Sequence, residues 1–197
     1  MTTGPRPENH DLSVILLTGG TSRRMGTDKA SVRFGSGTLL DFVLGQVPAG
    51  LHTVVVGPNS GQPVHFVRED PPGSGPVAAV NAGLHCVSTS QVAVAAVDVP
   101  LAIPWLLTVG LKPDSSALIP RDAEGRAHPL NALYDVKALR DALQAMGSPA
   151  HQSMQSLLAH LTNIEYVQAS DTSIGDQLLL DVNTPADLER AATLLRP

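Results

Sequence analysis

The apolar run Val14-Ile15-Leu16-Leu17 stops at Thr18-Gly19-Gly20, and the cations Arg23, Arg24 and Lys29 follow directly. A short apolar run closed by glycines reads as a buried strand feeding a loop. Glycine adopts positive φ at no steric cost and lets a ligand approach the backbone. The exposed N–H groups of such a loop can cradle phosphate, and neighbouring Arg and Lys can neutralise it. A chain built this way has to wrap its core around that strand and leave the loop open at its carboxyl end. A nucleotide triphosphate is the ligand that the pattern suggests.

The same pattern recurs. Short runs at Thr53–Val56, Val64–Arg68, Gln91–Val97, Ala117–Pro120, Leu130–Tyr134, Ile164–Val167 and Leu178–Leu180 are expected to be strands. Helical spacing marks Leu39–Val47, the stretch opened by Pro76, Ile103–Val109, Val136–Met146, Ser153–Leu161 and Pro185–Leu195. Strands alternating with helices imply βαβ units with right-handed crossovers. The expected architecture is an α/β, Rossmann-like three-layer fold with a mostly parallel central sheet and helices on both faces. In open parallel sheets, ligands sit beyond the carboxyl ends of the strands. The glycine loop, Gly57, Asp70 and Asp98 all fall at expected strand ends. Residues 1–10 are expected to be a flexible tail and 11–197 a single domain.

Net charge is -5 over 197 residues, which argues against nucleic acid as a partner. An anionic substrate then needs local positive charge, and Arg23, Arg24, Lys29 and Arg33 supply it. A lone Cys86 excludes an internal disulfide and suits a reducing compartment. The first ten residues lack the apolar core of a signal peptide. No apolar run is long enough to span a membrane. A cytoplasmic location is the expectation.

The glycine loop is not a Walker A loop, because no Gly-Lys-Ser/Thr follows at the right spacing. Nor do Gly19, Gly20 and Gly26 fit the dinucleotide fingerprint. Asp98 lies at the end of the apolar run Gln91–Val97, where a carboxylate can hold magnesium, which takes one or two carboxylates plus phosphate oxygens. Alternatively Asp98 caps a helix near Ile103.

The stretch Leu17-Thr18-Gly19-Gly20-Thr21-Ser22-Arg23-Arg24-Met25-Gly26, with Lys29, resembles the signature loop of nucleotidyltransferases, most closely that of the molybdenum cofactor guanylyltransferases. Thr18 stands where those proteins usually carry alanine. Asp70, with Gly75-Pro76-Val77-Ala78-Ala79, resembles the family's second nucleotide-binding stretch, and its Gly-Pro form is closer to guanylyl than to cytidylyl relatives. Asp98-Val99-Pro100 resembles the family's Asp-x-Pro. His128-Pro129 resembles a His-Pro on the pterin side. Asp181-Val182-Asn183-Thr184-Pro185 resembles an Asn-x-Asn-Thr-Pro close, with Asp181 for the first Asn. Gly57 stands where relatives often carry Asn. Basic residues common in the family are missing from Pro149–Ser153.

The resemblance implies transfer of GMP from GTP to the phosphate of molybdopterin, with release of pyrophosphate. It implies that Leu17, Thr18, Gly19, Gly20, Lys29, Gly57, Asp70, Gly75, Pro76 and Asp98 contact the nucleotide. Lys29, Arg23 and Asp98 would be catalytic, with Asp98 binding Mg2+. His128, Asp181 and Asn183 would face the pterin. Partners would be cofactor-insertion proteins or molybdoenzymes, not nucleic acid or membrane. Cytidylyl transfer, transfer to another phosphorylated small molecule, and a non-catalytic nucleotide-binding role remain as alternatives.

Overall fold

The computed structural model describes residues 11–19, 33–34 and 37–194. Gly20, Arg23, Lys29 and the expected tail at 1–10 lie outside the described residues. The strands are β1 (Leu12–Leu17), β2 (Arg33–Phe34), β3 (Gly37–Thr38), β4 (Thr53–Val56), β5 (His65–Val67), β6 (Gln91–Ala96), β7 (Ala117–Arg121), β8 (Asn131–Asp135) and β9 (Ile164–Gln168). The helices are α1 (Leu39–Leu44), α2 (Pro76–Leu84), α3 (Ala102–Leu106), α4 (Val136–Met146), α5 (Met154–Leu158) and α6 (Pro185–Leu194).

Seven strands form one sheet in the order β5-β4-β1-β6-β8-β7-β9, and β2 pairs with β3 apart from it. β1 runs parallel to both β4 and β6. β8 alone runs against its neighbours β6 and β7. The central strand β1 is buried along its whole length. Leu12, Val14 and Leu16 face a layer with Val43, Trp105 and Leu188. Ile15 and Leu17 face the opposite layer with Val77, Val80, Leu139 and Leu157. A strand covered on both faces reads as a near-continuous apolar run, which is why Val14–Leu17 carries no alternation, and the one buried polar residue, Ser13, lies near its start within 3.1 Å of His52 Nδ1. The expected three-layer α/β architecture is the one observed.

Local chemistry sets the helix starts. Thr38 and Asp41 form a reciprocal capping box on α1. Pro76 is the first residue of α2, behind Gly75 at φ 96°. Asp135 caps α4 and Ser153 caps α5. Thr184 and Asp187 reciprocate at the start of α6. α1 is shorter than the expected Leu39–Val47, because it gives way at Gly45.

One expected strand is absent. Residues 178–180 do not pair with the sheet; Gly175–Leu179 is a 3₁₀ turn. Leu178 is buried in the core, and the N–H of Leu180 donates to the carbonyl of Gln177 at 2.9 Å rather than to a strand. Three consecutive leucines are too few for their period to separate a strand from a turn. Among the described residues, no helix is long and apolar enough to cross a membrane.

Candidate active site

The carboxyl ends of β1, β4 and β5 are stitched together in steps. The N–H of Thr18 donates to the carbonyl of Val56 at 3.1 Å, and the N–H of Gly57 donates to that of Val67 at 2.9 Å. The Thr18 hydroxyl also donates to the Val56 carbonyl, at 3.1 Å. Gly57 sits at φ 155°, and a Cβ placed on it would overlap Thr18 Oγ1 outright. Leu17, Thr18, Gly19 and Gly57 are therefore immediate neighbours. Position 57 offers only its backbone here.

Beyond β5 the chain enters the loop from Asp70 to Gly75. Asp70 itself is exposed. The N–H of Gly73 donates to Glu69 Oε1 at 2.9 Å, and that of Ser74 to the Pro71 carbonyl at 3.3 Å. Ser74 is buried and its carbonyl accepts from the N–H of His151 at 2.6 Å. His151 adopts φ 59°, and a Cβ on Gly75 would lie 3.8 Å from its Cα. The stretch around His151, which brings no Arg or Lys, is thus packed against the Gly75-Pro76 turn.

A pocket of about 410 Å³ opens beyond β6 and β8, and its walls include Pro76, Asp98, His128, Asn131, Met154 and Asp181. The N–H of Val99 donates to the carbonyl of Ala96 at 3.0 Å, turning the chain directly after β6. The N-cap residue of α3 is Leu101 and no side chain caps the helix, so Asp98 is not its cap. The N–H of Val182 donates to the backbone carbonyl of Asp98 at 2.7 Å. That bond carries Asp181 into the pocket of Asp98, across a gap of more than eighty residues. Among the described residues no group of three His, Cys, Asp or Glu could hold a metal by itself; the two carboxylates in one pocket suit a hard cation that takes its remaining ligands from phosphate.

His128 reaches the pocket from the hairpin between β7 and β8. The N–H of Asp122 donates to the Arg126 carbonyl at 3.1 Å, and the N–H of His128 donates to that of Pro120 at 2.9 Å. The Asp122 carboxylate sits 3.0 Å from His128 Nε2 and accepts from Arg126 Nε at 2.8 Å. The His128 contact, with help from Arg126, holds the Asp122 carboxyl well below the usual carboxylate range.

Four of the residues singled out in the sequence, Pro76, Asp98, His128 and Asp181, therefore meet in one pocket. Asp70 and Asn183 do not line it. The N–H of Asn183 donates to Asp187 Oδ2 at 3.1 Å, in the capping network of α6. Asn131 and Met154 are among the pocket residues that escape sequence reasoning. For Asn131 a signal exists, since it is the single amide in the otherwise apolar run Leu130–Leu133.

The family model of the MobA-like NTP transferase domain matches residues 14–166, from the central strand into β9. The chain belongs to that family. Two relatives described as "Probable molybdenum cofactor guanylyltransferase" are similar over most of their length. That of Mycobacterium avium is 32% identical, with 94% of this chain and 97% of the relative covered. That of Mycobacterium marinum is 34% identical, with 90% and 91% covered. Among solved structures, molybdopterin-guanine dinucleotide biosynthesis protein A from Archaeoglobus fulgidus superposes with a TM-score of 0.71 at 26% identity, covering 92% of this chain and 97% of that one. The cytidylyltransferase for 2-C-methyl-D-erythritol 4-phosphate from Thermus thermophilus shares the fold, with a TM-score of 0.63 at 21% identity and 93% and 98% coverage. As a MobA-like protein, the chain is a nucleotidyltransferase, and enzymes of this kind work with a divalent metal.

Proposed function

We propose that this MobA-like nucleotidyltransferase transfers GMP from GTP to the terminal phosphate of molybdopterin. An oxygen of the acceptor phosphate attacks the α-phosphorus of GTP. The bond from that phosphorus to the β-phosphate bridging oxygen breaks, and pyrophosphate leaves with the electron pair. A phosphate monoester is largely ionised near neutral pH, with a second pKa of about 6, so no general base is needed. Positioning and charge neutralisation do the catalytic work.

The observation that carries this reading is the juxtaposition of Asp98 and Asp181, fixed by the 2.7 Å bond from Val182 N–H to the Asp98 carbonyl. Asp98, with Asp181 beside it, would hold Mg2+, which when bound neutralises charge on the nucleotide phosphates. The backbone of Leu17, Thr18, Gly19 and Gly20 borders the nucleotide, and Gly57, Asp70 and Gly75-Pro76 close its other side. Lys29 and Arg23 stabilise charge on the triphosphate. His128 and Asp181 face the acceptor, with Asn183 just behind Asp181. The whole of 11–197 serves as one catalytic domain, in the cytoplasm, and hands its product to cofactor-insertion proteins or molybdoenzymes.

A second donor, CTP, has one observation in its favour: Asp181 stands where guanylyl relatives usually carry Asn and cytidylyl relatives often carry Asp. Calorimetry of GTP, CTP and ATP with Mg2+, on wild type and Asp98→Ala, separates the two. GTP binding that weakens in Asp98→Ala supports the proposal. Preference for CTP replaces the donor, and the absence of binding to all three rejects the reading.

A further inference from the structure

Asn131 is the one pocket side chain whose two amide branches have different work to do. Its Oδ1 accepts from the N–H of Ala96 at 3.1 Å. The ladder between β6 and β8 ends at the pair Ala95 and Asn131, so Ala96, still in register with Leu17 of β1, has run past its last partner on β8. The Asn131 side chain supplies the missing acceptor, as a buried backbone donor requires. An N–H can only donate, so the branch facing Ala96 has to be the oxygen, and chemistry alone settles the orientation of the amide.

The other branch, Nδ2, is then a pair of donors fixed in space. The residue is 4% exposed, and it forms part of the pocket wall beside Asp98, His128 and Asp181. Among the described residues Nδ2 has no hydrogen-bond partner, and it is not one of the fully buried polar atoms left without one, so it keeps some access. The remaining access of this side chain is to the pocket. The neighbouring polar groups are committed or carry the wrong sign. Asp98 and Asp181 accept only. His128 Nε2 is engaged by Asp122 at 3.0 Å. Ser153 Oγ caps α5 by accepting from the N–H of Ser156 at 3.1 Å. A donor in an acid-lined pocket is what an oxygen-rich, anionic substrate needs, and a neutral amide supplies it without disturbing the charge of the two carboxylates.

We propose that Asn131 is a specificity-determining residue for the acceptor substrate: its Nδ2 donates to an oxygen of that substrate while its Oδ1 anchors the end of β6. This rests on the acceptor pocket assigned under the proposed function. The two branches can be tested apart. Asn131→Asp keeps an oxygen for Ala96 and removes the donor. Asn131→Leu removes both at similar volume.

Steady-state transfer with GTP, Mg2+ and molybdopterin on the full-length chain is the assay, with GTP affinity read separately by calorimetry. The expected result is that both variants raise the acceptor KM by about tenfold or more, the loss of one strong hydrogen bond. GTP affinity stays within about threefold in Asn131→Asp. An unchanged acceptor KM in Asn131→Asp overturns the proposal. So does a rise confined to Asn131→Asp, which would mark added charge rather than a lost donor. Parallel loss of GTP affinity and acceptor affinity in both variants would reduce Asn131 to a strand anchor and overturn it as well. Wild-type enzyme that binds GTP but transfers nothing to molybdopterin rejects the function reading and this proposal together. Wild-type transfer with normal variant KM values rejects this proposal alone.

Discussion

Thr18 Oγ1 occupies the space that a side chain at Gly57 would need. The hydroxyl is held there by its bond to the Val56 carbonyl, and a Cβ on Gly57 would overlap it. The Thr at 18 and the Gly at 57 are thus one feature rather than two. In the sequence they stand nearly forty positions apart, with nothing to link them. With Thr at 18, position 57 has no room for a side chain.

Gly57→Ala is accordingly expected to lower the melting temperature and weaken GTP binding. Thr18→Ala alone loses one hydrogen bond, at a cost of about 1 kcal/mol. Combined, the two changes should cost less than their sum, because the collision is gone. The backbone strain of a side chain at φ 155° remains, so recovery is partial. A double-mutant cycle on thermal unfolding measures the coupling. Strict additivity would show that the overlap is relieved elsewhere.

Asp98→Asn should reduce transfer by a hundredfold or more, on the order seen when a principal electrostatic group is removed. Chelation of divalent metal should abolish transfer in the wild type and leave the melting temperature of the metal-free protein alike in both. Full activity in EDTA would remove the metal, and with it the role given to Asp98.

Lys29→Ala is expected to lower kcat and kcat/KM for GTP together, by roughly a hundredfold, the mark of a contact made in the transition state. A raised KM at constant kcat would place Lys29 in ground-state binding instead.

Gly83→Ala should destabilise the protein although alanine is the better helix former by about 1 kcal/mol. A Cβ there would lie 2.8 Å from Ile15 Cγ2 and 3.0 Å from Val56 Cγ2. Overpacking of this kind costs about 1–3 kcal/mol. The missing side chain is what lets α2 lie close on β1 and β4. A rise in melting temperature on this substitution would contradict that packing.

Asp122 gives a prediction about pH. Its folded-state carboxyl is held below the ordinary value, chiefly by His128 and then by Arg126. A depressed folded value means that the contribution is fully present above the unfolded pKa of about 3.9. It is lost as pH falls through the lower, folded value. A carboxyl NMR titration should find the Asp122 midpoint below that of a free aspartate, and His128→Ala should move it upward. An unmoved midpoint in His128→Ala would dissolve the contact.

Much of the fold is readable from the chain because β1, β4 and β6 are short, mostly apolar and separated by helical periods. Strand order is not readable in the same way. Nothing in the run Leu130–Tyr134 says that β8 inserts between β6 and β7 and runs against both. Period reports which faces are buried, not which neighbour buries them. The site divides along the same line. Asp98 and Asp181 are visible as carboxylates at the ends of elements. Asn131 shows in the sequence only as a lone amide in an apolar run, because what it anchors, Ala96, is thirty-five positions away. The leucines at 178–180 mislead, since a buried residue in a 3₁₀ turn and one in a strand look alike in so short a run.

The bond from Val182 to Asp98 also sets an order in time. All seven strands of the main sheet are complete by Gln168, whereas Asp181 comes later. A ribosome extends its product from the amino end, and domains can begin to fold during synthesis. A nascent chain can therefore own its entire sheet while half of its carboxylate pair is still inside the exit tunnel. Such a chain would still lack Leu178, Val182 and Leu188, so the layer over β1 and the pocket around Asp98 are completed together by the last segment.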